Sequence, residues 1–468
     1  MSSIIEAPPG TRSRWWALGV IGLAQLLVIV DTTIVNIALP SVQADLGMSD
    51  VARQWTITAY TLAYGGLLLL CGRLADRFGR KNTLLIGIAG FALASAVGGA
   101  ATGTGMLIAA RAAQGVFAAL LAPSTVSLLT LTFTEPRERA KAFGIFSAIM
   151  MAGGAVGLVL GGVLTEYLDW RWCLFVNLPI AVVAGVAGWF VLPNVPGHRE
   201  AKIDWFSGFI GSAGIVSLVY GLSEAASRGW DSLPVLGFLG LAVVLLATFA
   251  LRQAKVPNPL LPLSVLKDRD RAGAYFSIGA ASFGMFGMFL FLTYQLQAIM
   301  HYGALATGLA FLPILAGNLL FATQISSRLL PRTGPRPLLV IGLLLLASGL
   351  AVLTQLTPDA SYAGLILPAE MLLGMGAGLS MPTVMNLATS RIEPRDAGAA
   401  SAFITTSQQV GASIGTASLN TIAASATASA AGIGATAATV HGYATAGGWA
   451  AGFVAVAAIG VGLLVRRR

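Results

Sequence analysis

Fourteen apolar runs of roughly twenty residues, joined by short polar links, take up most of this 468-residue chain. An α-helix needs about twenty such residues to cross a hydrocarbon layer of about 30 Å. The bilayer offers no water to unpaired backbone groups, so each run must satisfy its own hydrogen bonds as a helix. The expected fold class is an all-α membrane protein. Charged residues make up only 10% of the chain, against about 25% in soluble domains. The expected spans are 16–39, 53–72, 83–101, 106–130, 142–164, 173–192, 208–224, 234–251, 273–298, 305–327, 337–356, 362–387, 397–420 and 447–465. The Ala/Thr/Ser/Gly-rich stretch 421–446 reads as an external, partly helical loop.

Lys and Arg fix the orientation. With the N-terminus in the cytoplasm, 24 of the 28 basic residues fall on that side and three (Arg53, Arg171 and Arg228) on the other, with Arg111 inside a span. The positive-inside rule then puts both termini in the cytoplasm of a multi-pass plasma-membrane protein. Trp15, Trp16, Trp55, Trp170, Trp172 and Trp230 fall at span ends, where an interfacial belt belongs. The first run follows a polar stretch and is longer than a signal-peptide core, so it reads as a retained span.

Composition also excludes function classes. The net charge of +9 is dispersed over loops with no basic run interleaved with aromatics, so nucleic acid is not an expected partner. Cys71 and Cys173 end two different spans on opposite faces, and His198, His301 and His441 are scattered. These residues build neither a disulfide nor a metal site, and no cofactor is expected. No phosphate-cradling GxxxxGK[ST] occurs, so an ion gradient must supply the energy. No in-span nucleophile–base pair supports an enzyme.

The chain carries an internal duplication. Arg111, Gly115 and Pro123 recur as Glu370, Gly374 and Pro382, an offset of 259. Glu135-Pro136-Arg137-Glu138 recurs as Glu393-Pro394-Arg395-Asp396, and Gly153 and Gly157 as Gly411 and Gly415, both at 258. Gly79 and Gly87 match Gly334 and Gly342 at 255. Six-span repeats have an even number of crossings and share one orientation, as in transporters that rock two halves around a midplane site. The expected domains are a six-helix bundle over 1–195, a two-helix insert over 196–256 and a second six-helix bundle over 257–468.

Specific motifs sit on this frame. The link after the second span reads Gly72-Arg73-Leu74-Ala75-Asp76-Arg77-Phe78-Gly79-Arg80-Lys81, with two glycines that permit a tight turn. It resembles the signature loop of the major facilitator superfamily. Asp31-Thr32-Thr33 through Pro40, Arg111 with Gln114-Gly115, the glycines Gly144, Gly153, Gly157, Gly161 and Gly162, and Asp169-Trp170-Arg171-Trp172 with Asn177 and Pro179 resemble the fourteen-span drug:proton antiporter branch. The resemblance implies the major facilitator fold, two parallel six-helix repeats plus two inserted helices. It implies a monomer that exchanges small-molecule substrates for protons, with Gly72, Asp76, Arg77, Gly79 and Arg80 as a cytoplasmic gate. Leu158 stands where the branch carries proline, which removes one source of a kink. In the second half Pro331 replaces Asp76.

Three ionisable residues lie inside apolar spans: Asp31, Arg111 and Glu370. Each costs roughly 2.5–3.5 kcal/mol at span centre, which marks it as a functional candidate. The plainer readings are a snorkelling Arg111 and a packed, neutral Glu370. All three fall in the outer half of their spans. Asp31 is expected to carry the proton or pair with a cationic substrate, tuned by Arg111, with Glu370 as a second acidic contact. Gln25, Asn36, Gln114, Tyr294, Gln295, Gln297, Asn318 and Asn386 are the polar in-span candidates for lining the cavity. Glu224 reads as structural. The expected activity is proton-coupled export of amphipathic or lipophilic compounds, with an uptake symporter or a non-transporting membrane sensor as alternatives.

Overall fold

The computed structural model describes residues 11–193, 204–256, 259, 268–389 and 397–466. The expected domain boundaries, His198 and the second-half Glu393–Asp396 motif lie outside these residues, as do the side chain of Asp76 and the surroundings of Gly144.

The first half contains α1 (Thr11–Leu46), α2 (Asp50–Phe78), α3 (Arg80–Gly99), α4 (Thr104–Thr132), α5 (Pro136–Tyr167), the short α6 (Trp172–Phe175) and α7 (Asn177–Val191). Helices α8 (Trp205–Arg228) and α9 (Leu233–Gln253) follow as a hairpin. The second half contains α10 (Arg269–Tyr294), α11 (Ala304–Ala310), α12 (Leu312–Leu320), α13 (Ser327–Thr333), α14 (Pro335–Val352), α15 (Leu367–Thr389), α16 (Ala397–Ser429) and α17 (Ala435–Leu464). Wide π-turns over Gln295–Ile299, Phe321–Ser326 and Tyr362–Ile366 extend or join these helices. Side-chain caps mark several starts: Ser49 accepts from the Ala52 amide, Asp204 from Ser207, and Asp268 from Asp270 and Arg271. Each satisfies orphan amides of a first turn.

Among the described residues, twelve helices are long and apolar enough to cross a membrane, two fewer than expected. The two that fall short are α2 and α16. The apolar run of α16 is diluted by Gln409, Ser413, Thr416 and Asn420, all buried against neighbouring helices, whereas in α2 the described stretch is interrupted at Leu69, within its apolar run. The expected loop over 421–446 is corrected. α16 continues to Ser429, a single 3-10 turn follows at Ala431–Ile433, and α17 starts at Ala435. Alanine favours helix whatever its hydropathy.

The repeat is visible in the packing. Gly79 (φ +90°) alone separates α2 from α3, and Gly334 (φ +74°) alone separates α13 from α14. Both φ values lie where L side chains are strained. The signature sequence is therefore the last turns of α2 plus a one-residue joint rather than a loop. In each half the fourth helix meets the second through a glycine: Gly115 abuts the Tyr60 carbonyl, and Gly374 abuts that of Ile314.

Helix α5 has no internal proline and runs unbroken through Leu158. Its glycines serve two partners. Gly153, Gly157 and Gly161 lie against Leu26, Thr33 and Ile34 of α1. Gly162 instead faces α11 of the other half, where a Cβ would stand 2.5 Å from the Leu305 Cα. Ile37, Leu39 and Leu158 of the first half are buried within the hydrophobic core of the second. The halves thus meet closely at the end away from the Gly79 joint.

These contacts separate two effects. A side chain at Gly161 would stand 3.1 Å from the Ile34 Cα, so Gly161→Leu is expected to lower stability by about 1–3 kcal/mol through overpacking. Gly162→Leu is expected to leave each half folded but stop the halves from meeting. Gly105→Leu, with nothing within 4 Å of its Cβ, serves as the neutral control. Thermal unfolding in detergent and a fluorescence distance across the halves check the three variants.

Candidate functional site

Asp31 and Arg111 meet inside the first half. Asp31 is fully buried and Arg111 almost so, and Arg111 Nη1 donates to Asp31 Oδ2 at 2.5 Å. Helix α1 supplies the acid and α4 the base. Gln114, one turn after Arg111, accepts from Arg111 Nη1 through Oε1 and donates to Asp31 Oδ1 through Nε2, each at 2.8 Å. This i, i+3 spacing puts both residues on one face of α4. Asn177, at the start of α7, donates to the same Asp31 oxygen at 2.8 Å. Ser95 of α3 accepts from Gln114 at 2.8 Å and from Asn177 at 3.3 Å. The Arg111 guanidinium lies 4.4 Å from the centre of the Tyr60 ring on α2 and reaches the Thr56 carbonyl through Nε at 3.4 Å.

Five helices thus converge on one ion pair, and both carboxylate oxygens are occupied by donors. A buried pair survives in a low-dielectric setting only when its remaining hydrogen-bonding capacity is met. Here Asp31 accepts three such bonds and Arg111 donates three, while Asn177 Oδ1 has no hydrogen-bond partner.

Glu370 is not in this cluster. It is fully buried in the second half, where Oε2 accepts from Tyr362 Oη at 3.3 Å and Oε1 has no hydrogen-bond partner. The same Tyr362 hydroxyl lies 2.7 Å from the Ala310 carbonyl. The equivalence of Glu370 and Arg111 explains the separation, since repeat-related positions fall in opposite halves. The polar in-span candidates divide likewise. Gln25 accepts from Thr125 at 3.0 Å and Gln114 joins the ion pair, both within the first half. Gln295 donates to the Thr357 carbonyl at 3.4 Å within the second. Asn36 bonds back to the Thr32 carbonyl at 2.9 Å. Asn318 is half-buried and Asn386 is exposed.

Tyr294 and Gln297 belong to a contact between the halves. Tyr294 Oη donates to Gln43 Oε1 at 2.6 Å, and Gln297 Nε2 donates to the Ile37 carbonyl at 3.0 Å. Arg53, paired with Asp50 at 2.9 Å, lies 4.3 Å from the centre of the Tyr294 ring. Asn420 donates to Gln54 at 2.6 Å, and the Leu305 amide to Glu166 at 2.8 Å. All these residues sit toward the helix ends away from the Gly79 joint. On the opposite side Arg73 of the signature sequence reaches the Pro259 carbonyl at 2.5 Å.

Composition could not have revealed Ser95, since a lone serine in an apolar run is unremarkable in a membrane helix. Asn177 carried a signal as part of the sixth-span motif. Arg53, Gln43, Glu166 and Asn420 looked like ordinary residues near span ends.

The family profile described as Major Facilitator Superfamily matches residues 21–416. Among curated proteins, the chain is 50% identical to the puromycin resistance protein of Streptomyces alboniger over 97% of this chain and 92% of that protein. It is 36% identical to the cephamycin export protein of Amycolatopsis lactamdurans, over 89% and 86% of the two. It is 30% identical to a multidrug efflux pump of Mycolicibacterium smegmatis, over 90% and 84%. Among solved structures, a POT family transporter superposes with a TM-score of 0.70 at 16% identity over 98% of both chains, which speaks for the fold alone.

Two outcomes follow from the geometry. Arg111→Leu leaves a buried carboxylate unpaired and is expected to lower stability by about 3–5 kcal/mol. The double variant Asp31→Asn, Arg111→Gln should recover most of that loss, as thermal unfolding will show. Tyr294→Phe removes one cross-half hydrogen bond, worth about 1 kcal/mol. It should shift the halves about fivefold toward separation at the outer side, as read by a fluorescence distance between them.

Proposed function

The chain belongs to the major facilitator superfamily, and we propose that it is an exporter of amphipathic small molecules driven by protons re-entering across the plasma membrane. That it is an efflux transporter and not an enzyme rests on its family and on its resistance and export relatives. The coupling reading rests on one observation, the buried Asp31–Arg111 pair saturated by Gln114 and Asn177.

The mechanism follows from that saturation. A proton arriving on Asp31 brings one more donor to a carboxyl already ringed by donors. It also removes the charge that balances Arg111. Arg111 and at least one amide must then re-pair, so proton binding on α1 is tied to the positions of α3, α4 and α7. Burial makes the two states discrete, because an unbalanced guanidinium in hydrocarbon is too costly to persist. Glu370, with one oxygen free of partners, serves as the second acidic group, facing cargo or a second proton from the other half.

The outer contacts of Tyr294, Gln297, Asn420 and Leu305 describe a state closed to the outside. Cargo enters from the cytoplasm in this state, with Gly72, Asp76, Arg77, Gly79 and Arg80 forming the gate on that side. Helices α2 and α16 complete a fourteen-span monomer of the drug:proton antiporter branch with both termini cytoplasmic. At 29 and 33 residues they are long enough to span, and their polar side chains point to neighbouring helices. The bundles are 1–195 and 257–468, with 196–256 inserted. Puromycin is the first cargo to try, given the resistance protein that shares half of its residues with this chain.

The decisive assay uses vesicles with an imposed proton gradient. Asp31→Asn is expected to lower gradient-driven puromycin exchange by at least about tenfold, equivalent to roughly 1.4 kcal/mol on the coupled step. An uncoupler should abolish wild-type exchange. Full-rate exchange by Asp31→Asn would remove Asp31 from the coupling step.

A further inference from the structure

The inserted hairpin does not hang free in the bilayer. Helix α8 lies along the seam between α2 of the first half and α16 of the second. Toward the outer side the seam is tight: Leu62, Val219 and Ala417, one from each of the three helices, form a small buried cluster flanked by Trp55 and Ile414. There Thr421 Oγ1 also donates to the Leu222 carbonyl at 3.0 Å.

Toward the cytoplasmic side the same seam opens. A cavity of about 200 Å³ lies between α2, α8, α9 and α16, with Gly66, Ser212, Leu246, Phe249, Thr406 and Val410 among its walls. Among the described residues, no charged side chain lines it. Two features mark it as more than loose packing. A Cβ on Gly66 would meet Ser212 only at an ordinary 3.8 Å, so close helix contact does not require glycine there. The Thr406 hydroxyl is buried without a hydrogen-bond partner, whereas Thr383 and Thr421 bond back to their own helices. A buried hydroxyl left unpaired costs about 1–3 kcal/mol.

We propose that this cavity is a binding site for an uncharged lipophilic molecule bearing one hydrogen-bond acceptor, taken up from the cytoplasmic leaflet. The apolar walls select hydrocarbon or an aromatic ring, and Thr406 donates to the acceptor. The absence of charge excludes ionised groups. This deepens the export reading by giving lipophilic cargo a first stop beside the cleft, at a place where both halves and the insert touch it. Binding itself needs no ion gradient.

Benzophenone is a suitable probe, being uncharged, lipophilic, photoreactive and equipped with one carbonyl. The full-length protein in liposomes is irradiated with benzophenone, and adducts are mapped by peptide mass spectrometry. Adducts are expected to concentrate at Ile215 and Val410. Gly66→Leu, which fills the space, should lower them about tenfold, and the isosteric Thr406→Val about fivefold. Labelling of Val186, exposed on α7, should not change. Equal labelling of Val410 and Val186, or seam labelling indifferent to both substitutions, overturns the proposal. So does a photoreactive phospholipid that labels the same residues and is not displaced by benzophenone, since the cavity would then hold bilayer lipid. Should Gly66→Leu fail to fold, Thr406→Val carries the test alone. Since no gradient is applied, the result stands whether or not Asp31→Asn blocks exchange.

Discussion

Neither an arginine nor an aspartate can stay charged in hydrocarbon without the other, and the first half of this protein is arranged around that fact. Asp31 comes from α1 and Arg111 from α4; α2 and α7 each supply a group that touches the pair, and Ser95 of α3 holds the two amides that reach Asp31. Moving any of these helices far from the others would strand a charge or a buried amide. The pair therefore acts as a keystone for the bundle before it acts in transport. It also explains how a small chemical event can have a large mechanical consequence, because the arrangement has no inexpensive intermediate.

The two halves solve the problem of buried polarity differently. In the first, charge is balanced by charge. In the second, Glu370 has only the Tyr362 hydroxyl, and much of the remaining core is aliphatic and aromatic, with Phe289 stacked on Phe311 and Phe291 on Tyr443. Where the halves meet, neutral amides and hydroxyls such as Gln43, Tyr294, Gln54 and Asn420 supply hydrogen bonds beside the packed Ile37, Leu39 and Leu158. Neutral hydrogen bonds of this kind contribute only about 0.5–1.5 kcal/mol each. An interface made of such bonds can open and close, whereas the ion pair's surroundings cannot be taken apart so readily.

Much of this was legible in the chain itself. Apolar run length gave the membrane class, and the offsets near 258 gave the duplication that reappears as the paired joints at Gly79 and Gly334. The cost of an in-span charge singled out Asp31 and Arg111. What stayed hidden was direction. Hydropathy cannot say that Glu370 turns away from the other two ionisable residues, nor that Gly162 faces the opposite half while Gly161, its neighbour, faces α1. Ser95 is invisible by type. The stretch 421–446 misled because its serines and threonines lower hydropathy while its many alanines keep the backbone helical, and α16 is diluted in the same way.

Arg111 and Glu370 occupy matching places in the two repeats yet bear opposite signs. Had both positions carried the same charge, a half-turn about the pseudo-symmetry axis would bring like onto like at this place. The swapped sign gives the assembly a fixed polarity across that axis. One portion carries a locked cation and the other a carboxyl with an oxygen to spare, so an ammonium group wandering between them has only one wall to lean on.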